Sequence, residues 1–442
     1  MLKPVVSHLR KLGLLSNIYL DDLLLLGYSY ESCTKNVSIT TALLEELGFI
    51  INYKKSELTP SQTCSYLGFI YNAKNMIIQL PRKKREKINK IVNLKLHQSI
   101  KIRKFAKILG VLVSCCPAVE YGWLYTKASE RQKFLALEKN HDNYEKYMVI
   151  SSEVLDELKW WKRLEKTPMC RIRNCSYDLE IYSDASLTGW GVYCNGQKAN
   201  GHWKESELSN YINYLELLAS YFGLKILAKN HRNAAILLHI DNTTAISYIN
   251  RMGGVQYENL SKLAKTIWQW CEKREIWIHA SYIASKDNVE ADTESRKLQE
   301  NTEIEISNTL FQKIISEFGK PEIDLFASRS NAKCEKYVSW RRDPESVAID
   351  AFTISWEGYY FYAFPPCSLI LKVLRKIKNE SARGIMVVPE WPAQLWYPMF
   401  CSMLSAEPIK VPAKNNLMIS STSMDKFWRK TTLVVGVLSG NL

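Results

Sequence analysis

Apolar and polar positions change their period several times along the chain, and each change predicts an element. Up to about Leu80, short apolar runs alternate with turns at Gly48 and Pro60, around one amphipathic helix near Val37 to Leu47. The run Leu23 to Leu26 stops at Gly27, far too short to span a bilayer, and reads as a buried strand. Beyond Pro81 the apolar positions Ile88, Ile91, Val92 and Leu96 have helical spacing, and helical, Trp- and Tyr-rich sequence continues to Trp161. A polar stretch around Lys166 to Ser176 predicts a linker. Then Leu179-Glu-Ile-Tyr-Ser alternates toward Asp184, and Gly189 and Gly191 bracket a second strand that turns at Asn195-Gly196. Helices are expected over Asn213 to Lys229 and Asn259 to Lys273, and strands over Ala235 to Ile240 and Ile276 to Ile283. The acidic stretch Glu300 to Glu305 leads into a last α/β region from about Asn308, and no internal repeat is visible.

Composition narrows this picture. A chain of 442 residues is too long for one core and predicts two to four domains. Its 46% hydrophobic and 24% charged residues exclude overall disorder. The net charge of +14 favours a polyanionic partner, most simply nucleic acid, because each neutralised phosphate releases a counterion. The excess is concentrated from Pro81 to Lys107, where Glu86 is the only acid. The 11 cysteines form no CxxC pair and read as reduced thiols of a cytoplasmic or nuclear protein. Met1 to Arg10 lacks the long apolar stretch of a signal peptide, so neither secretion nor a membrane is expected.

Four acids carry candidate chemistry. Phosphodiester hydrolysis at neutral pH needs an activated water and a counter to charge on the leaving oxygen; paired Mg²⁺ ions held by hard carboxylate oxygens supply both. Asp184 closes a strand in Ser-Asp-Ala-Ser, and Glu216 lies inside the apolar helical stretch Tyr214-Leu-Glu-Leu-Leu. Asp241 ends the apolar strand Ile236 to Ile240, and Asp292 starts the final helix in Asn288-Val-Glu-Ala-Asp-Thr-Glu-Ser-Arg296. An acid at a strand end also serves as a helix N-cap, which would account for Asp241 and Asp184 taken alone. It does not account for Glu216, since a core-facing helix position rejects an acid unless it is paired or metal-bound.

In this order and context the segment from Ile181 to Arg296 resembles the ribonuclease H domain of retroelements, and the domain is set at 178–300. The run Asn288, Ala291, Asp292, Ser295 and Arg296 is similar to that of long-terminal-repeat and tyrosine-recombinase (DIRS-like) retrotransposons. The resemblance implies that Asp184, Glu216, Asp241 and Asp292 hold Mg²⁺ or Mn²⁺. It also implies cleavage of RNA paired to DNA, read through the 2′-hydroxyls. The histidine that some ribonucleases H carry in the loop before the last acid is absent from Ile283-Ala-Ser-Lys-Asp287, and His279 on the preceding strand is expected to be structural.

Upstream, Tyr19-Leu20-Asp21-Asp22 reads as a hairpin presenting two carboxylates at its turn. With Leu47-Gly-Phe49, Asn52 to Ser56 and Tyr66-Leu67-Gly68-Phe69 in order, residues 1–80 resemble part of a reverse transcriptase palm. The resemblance implies that Asp21 and Asp22 bind metal, that Lys55 lies near an incoming nucleotide, and that Tyr19, Leu67 and Gly68 meet a primer–template duplex. Residues 81–165 resemble a helical thumb and connection, with Arg82, Lys83, Lys84 and Arg85 tracking the backbone. No acid precedes Asp21, so this chain alone is expected not to polymerise DNA.

In the tail, 305–442, Ile323-Asp-Leu-Phe-Ala-Ser328, Asn331 to Cys334, Trp356 and Tyr362-Ala-Phe-Pro-Pro-Cys367 resemble the phage-type adenine-N6 methyltransferases, a Rossmann-like α/β fold. Phe364 and Cys367 replace the polar and aromatic residues that would hold a flipped adenine, so methyl transfer is expected to be lost. S-adenosylmethionine binding near Asp324 is the remaining expectation there. The whole reads as a multidomain α/β and α+β chain, the C-terminal part of a retrotransposon polyprotein with ribonuclease H activity. The alternative is a remnant that binds nucleic acid without cutting it.

Overall fold

The structure, a computed structural model, describes residues 2–93, 99–164, 168–297, 305–413, 418–419 and 430–441. It divides into two compact units, residues 1–176 with 251–261, and residues 177–250 with 262–442.

The first unit opens with α1 (Lys3–Lys11) and the hairpin β1 (Leu15–Tyr19) and β2 (Asp22–Leu26), in which Tyr19 pairs with Asp22. Leu20 is left-handed (φ 56°), so Leu20 and Asp21 form the turn. The expected buried strand Leu23 to Leu26 is only half-buried, and Leu26 is exposed. The reason is that among the described residues the ribbon has no third strand. α2 (Tyr30–Glu46) starts well before Val37 because Ser29 and Ser32 cap its first turn reciprocally, a signal that hydrophobic periodicity does not carry. Its buried Asn36 donates to Leu15 O (2.9 Å) and Leu26 O (3.0 Å), tying the helix across both strands.

β3 (Thr63–Tyr66), β4 (Phe69–Asn72) and β5 (Ile77–Gln79) form an antiparallel meander. Leu67 and Gly68, both at positive φ (48° and 73°), make the two-residue turn between β3 and β4 that matches strand twist. The basic helix α3 (Arg82–Val92) follows; Leu96 lies outside the described residues. Next come β6 (Ser99–Lys101), α4 (Ile102–Val113), α5 (Lys127–Lys139), β7 (Tyr147–Val149) and α6 (Ser152–Arg163). Buried Phe105, Leu109, Leu124 and Trp161 fill this helical layer. Glu157, itself buried, accepts from the Ala128 (2.8 Å) and Ser129 (3.0 Å) amides and so satisfies the open end of α5. β8 (Met169–Arg171) pairs with β5, so part of the stretch predicted as a linker is strand; residues 165–167 lie outside the described residues.

In the second unit a five-stranded sheet runs β9 (Leu179–Ala185), β10 (Gly189–Cys194), β11 (Gln197–His202), α7 (Glu205–Leu208), α8 (Ile212–Leu227), β12 (Ala235–Ile240), α9 (Thr243–Asn250), α10 (Glu258–Glu272), β13 (Trp277–Tyr282) and α11 (Val289–Arg296). The strand order is β11-β10-β9-β12-β13, antiparallel through β10 and parallel from β9 to β13. Asn195 and Gly196 close the β10–β11 hairpin at φ 46° and 80°, as their sequence predicts. α8 follows β11 and α7 and leads into β12, the parallel neighbour of β9, and every residue from Leu215 to Leu224 is buried.

The acidic stretch before the tail lies outside the described residues up to Glu305. The tail then runs β14 (Glu305–Ile306), α12 (Asn308–Phe318), β15 (Ile323–Asp324), β16 (Lys336–Ser339), β17 (Ala348–Ile349), β18 (Tyr360–Ala363), α13 (Ile370–Asn379), β19 (Arg383–Pro389), α14 (Tyr397–Ser402), β20 (Ile409–Val411), β21 (Met418–Ile419) and β22 (Leu433–Ser439). Seven of these strands form one sheet in the order β17-β16-β15-β18-β19-β22-β20. The strands from β17 to β19 are parallel, and β22 is antiparallel to both its neighbours. β19 and β22 read as near-continuous apolar runs because both faces are covered. Among the described residues no helix is long and apolar enough to cross a membrane.

Candidate metal centre

Asp184 lies near the end of β9, and Asp241 directly follows β12. The two strands are parallel neighbours with Tyr182 opposite His239, so both carboxylates emerge at the same end of the sheet. Helix α8 crosses between them and brings Glu216. One carboxylate oxygen from each of the three lies within 4.8 Å of the other two. Among the described residues no other group of three His, Cys, Asp or Glu side chains is so disposed.

The surroundings make three charges in one place costly. Burial pushes the Glu216 carboxyl up to about 9, helped by the Asp184 and Asp241 charges and opposed by a backbone hydrogen bond from Ala185. Burial also raises Asp184, with smaller contributions from Asp241 and Asp292. The side-chain hydrogen bonds to two of these charges come from neutral donors: Ser295 Oγ donates to Asp184 Oδ2 (2.5 Å) and Ser285 Oγ to Asp241 Oδ2 (2.7 Å), while the Arg296 charge acts on Asp184 as a smaller, opposing influence. Glu216 Oε2 is buried with no hydrogen-bond partner. A buried, orphaned carboxylate oxygen facing two more carboxylates is a hard-oxygen donor set, and Mg²⁺ or Mn²⁺ fits it.

The helix-cap reading of Asp241 does not hold, because the neighbouring Asn242 accepts from the Ala245 amide (2.9 Å) and caps α9 itself. Asp292 stands apart from the other three. It is on α11, and its Oδ1 accepts from Arg296 Nε (2.8 Å) and Nη2 (2.7 Å) one turn on. Arg296 thus engages one of the two Asp292 carboxylate oxygens. His279 is exposed on β13 rather than packed, so the structural role expected of it is not observed. Sequence reasoning missed Ser285, a loop serine with no motif to mark it.

The upstream candidates assemble less completely. Asp21, Asp22 and Tyr19 are exposed at the β1–β2 turn, and among the described residues no third ligand joins the two acids. Lys55 and Lys83 are exposed and Arg85 is half-buried. Arg82 pairs with Glu86 at 2.8 Å in an exposed bridge. Lys84 faces protein instead: its Nζ is 3.7 Å from the Phe69 ring centroid and donates to Ser114 O (3.2 Å).

In the tail, Asp324 is buried where strand order reverses between β15 and β18, the place at which such sheets take ligands. Its carboxylate is already used, accepting from the Phe326 (3.2 Å) and Lys333 (3.0 Å) amides of the loop that follows. Phe364 belongs to a buried cluster with Ile306, Phe311 and Tyr362. Burial outweighs the two amides and moves Asp324 from 3.8 up to about 6. A carboxyl whose folded pKa is raised stabilises fully only below its unfolded value, so stability falls as pH rises from 3.8 through about 6. The loss is on the order of 3 kcal/mol by pH 7. Asp324→Asn is therefore expected to gain melting temperature over the parent across that window, and a difference that is flat in pH would contradict this account.

The sequence matches no known protein family, and no curated protein. Among solved structures, a foamy viral protease–reverse transcriptase in complex with double-stranded DNA is 18% identical, with TM-score 0.33 over 63% of this chain and 48% of its own. The same viral protein in complex with RNA/DNA hybrid is 17% identical, with TM-score 0.32 over 63% of this chain and 37% of its own. A ribonuclease H1 from Halobacterium salinarum is 14% identical, with TM-score 0.23 over 26% of this chain and 92% of its own. The chain thus spans about half or less of these viral proteins, and likeness of this grade bears on neither activity nor substrate.

Proposed function

We propose that residues 178–300 form a ribonuclease H that cuts the RNA strand of RNA–DNA hybrids, using Mg²⁺ or Mn²⁺. The observation that carries this reading is the trio Asp184, Glu216 and Asp241, the first two buried and the third half-buried, with the orphaned Glu216 Oε2. When bound, divalent ions would lower the pKa of a water and neutralise charge on the departing 3′ oxygen. The chain's own part is to hold three carboxylates at the end of a rigid sheet, with Ser295 and Ser285 orienting two of them. Asp292 would join as a fourth ligand once Arg296 turns away, for instance toward a phosphate.

The upstream hairpin supports a partial reverse transcriptase palm, and the basic α3 supports contact with a duplex backbone. The mostly parallel sheet of the tail, whose strand order reverses between β15 and β18, is what supports the Rossmann-like, methyltransferase-type reading of that domain. Together these favour a retrotransposon polyprotein of the cytoplasm or nucleus. A second reading, a nucleic-acid-binding remnant without catalysis, is favoured by the Arg296 contact that occupies Asp292 Oδ1.

Incubating labelled hybrid with Mg²⁺ separates the two. The nuclease reading expects cleavage by the parent and none by Asp241→Asn at equal binding; binding without cleavage by the parent would support the remnant.

A further inference from the structure

The tail sheet is docked on the helix that carries Glu216. Arg329, in the loop after β15, is 8% exposed although it is an arginine. Its Nη1 donates to Glu207 Oε2 (2.9 Å) while Nη2 pairs with Glu207 Oε1, a forked contact on α7. Its guanidinium lies 4.4 Å from the centroid of the Phe222 ring on α8. The Arg329 backbone is itself held, its amide donating to Asp343 Oδ2 (2.9 Å). Around this centre Lys225 of α8 reaches Glu345 (3.2 Å), Lys229 donates to Ser346 O (3.2 Å), and Arg342 donates to Gln197 (2.7 Å). The tail therefore grips successive turns of α8 from Phe222 onward.

That grip leads to the metal centre. Phe222 packs edge-on against Trp190 of β10, with ring centroids 5.2 Å apart. Trp190 in turn pairs with Ala185, the residue after Asp184. Glu216 lies on the same helix, upstream of Phe222. A helix moves as a rod, so letting α8 slide or turn would shift Glu216 against Asp184 and Asp241. Metal ligands tolerate only a few tenths of an ångström of displacement.

We infer that Arg329 is a positioning residue for the metal centre, and that the tail sheet serves the nuclease by holding α8. This rests on the nuclease reading above for its purpose, though not for its geometry. The forked, stacked arginine matters more than its charge, because lysine offers neither the fork nor the plane. Removing Arg329 would strip half-buried Glu207 of its forked partner, whereas removing Glu207 would leave Arg329 only the longer contact to Glu345 Oε2 (3.6 Å).

The test uses the full chain, with hydrogen–deuterium exchange over residues 212–220 and titration with Mn²⁺. Arg329→Ala is expected to speed exchange across 212–220 and to weaken Mn²⁺ binding about tenfold, the scale of outer-shell supports. Arg329→Lys should fall between this variant and the parent. If Arg329→Ala does not fold, Glu207→Gln loosens the same clamp and is expected to act in the same direction. Loosening confined to 204–208 and 326–346, with Mn²⁺ affinity as in the parent, would overturn the inference and leave the contact as mere adhesion between two sheets. A parent that binds Mn²⁺ yet spares the hybrid refutes the nuclease reading while leaving this assignment standing. If the parent binds no Mn²⁺, the exchange rates over 212–220 decide alone.

Discussion

Replacing Glu216 by glutamine is expected to abolish cleavage while making the metal-free protein more stable, two effects of opposite sign from one oxygen. Removing a charged ligand forfeits several kcal/mol of charge stabilisation in the transition state. Each 1.4 kcal/mol is about tenfold, so the loss in rate should exceed roughly a thousandfold. Stability goes the other way because the Glu216 carboxyl is raised to about 9 by burial and by Asp184 and Asp241. In metal-free protein its stabilising, protonated form is complete below about 4.5 and is lost as pH rises toward about 9. At pH 7 the parent therefore carries a penalty on the order of 3 kcal/mol that Glu216→Gln escapes. Added Mg²⁺ should reverse the order, since a ligand that binds only the native state stabilises it. Melting curves with chelator and with Mg²⁺ check this; a variant less stable than the parent in chelator would contradict the buried-charge account.

Gly191→Ala should cripple the centre without touching an acid. Gly191 pairs with Asp184 across β10 and β9, and α11 crosses directly over it. A Cβ at Gly191 would fall inside the α11 backbone, against Ala291 O and Ser295 N. Backbone cannot yield as a side chain can, so α11 must lift. Ser295, which donates to Asp184, and Asp292 would move with it. A shift of about 1 Å in a supporting element costs on the order of a hundredfold in rate. The expected result is that loss, with Mn²⁺ binding weakened and the fold retained by circular dichroism. Full activity in Gly191→Ala would mean that α11 does not support the site.

How much of this was legible in the sequence follows from which forces leave a local trace. The acids Asp184, Glu216 and Asp241 were legible because each breaks a rule of its neighbourhood, an acid at a buried strand end or inside an apolar helix. The hairpin turn at Asn195-Gly196 was legible because positive φ selects residue types, whereas Leu67 at φ 48° gave no such signal. Burial of β2 was misjudged, since four leucines look the same whether or not a third strand covers them. The strand β8 was hidden in a polar stretch, because its pairing with β5 is decided by distant residues. Ser285, Gly191 and the Arg329–Glu207 clamp were illegible for the same reason: each acts across a separation in sequence that no local pattern records.

The most direct test of the central claim is strand-resolved cleavage. Four duplexes of one sequence, namely RNA–DNA hybrid labelled on RNA, the same hybrid labelled on DNA, duplex RNA and duplex DNA, are incubated with the full chain and Mg²⁺ or chelator. Fragments are expected only from the RNA strand of the hybrid, and only with the metal. Intact RNA in the hybrid with both Mg²⁺ and Mn²⁺, or equal cutting in the presence of chelator, would contradict it.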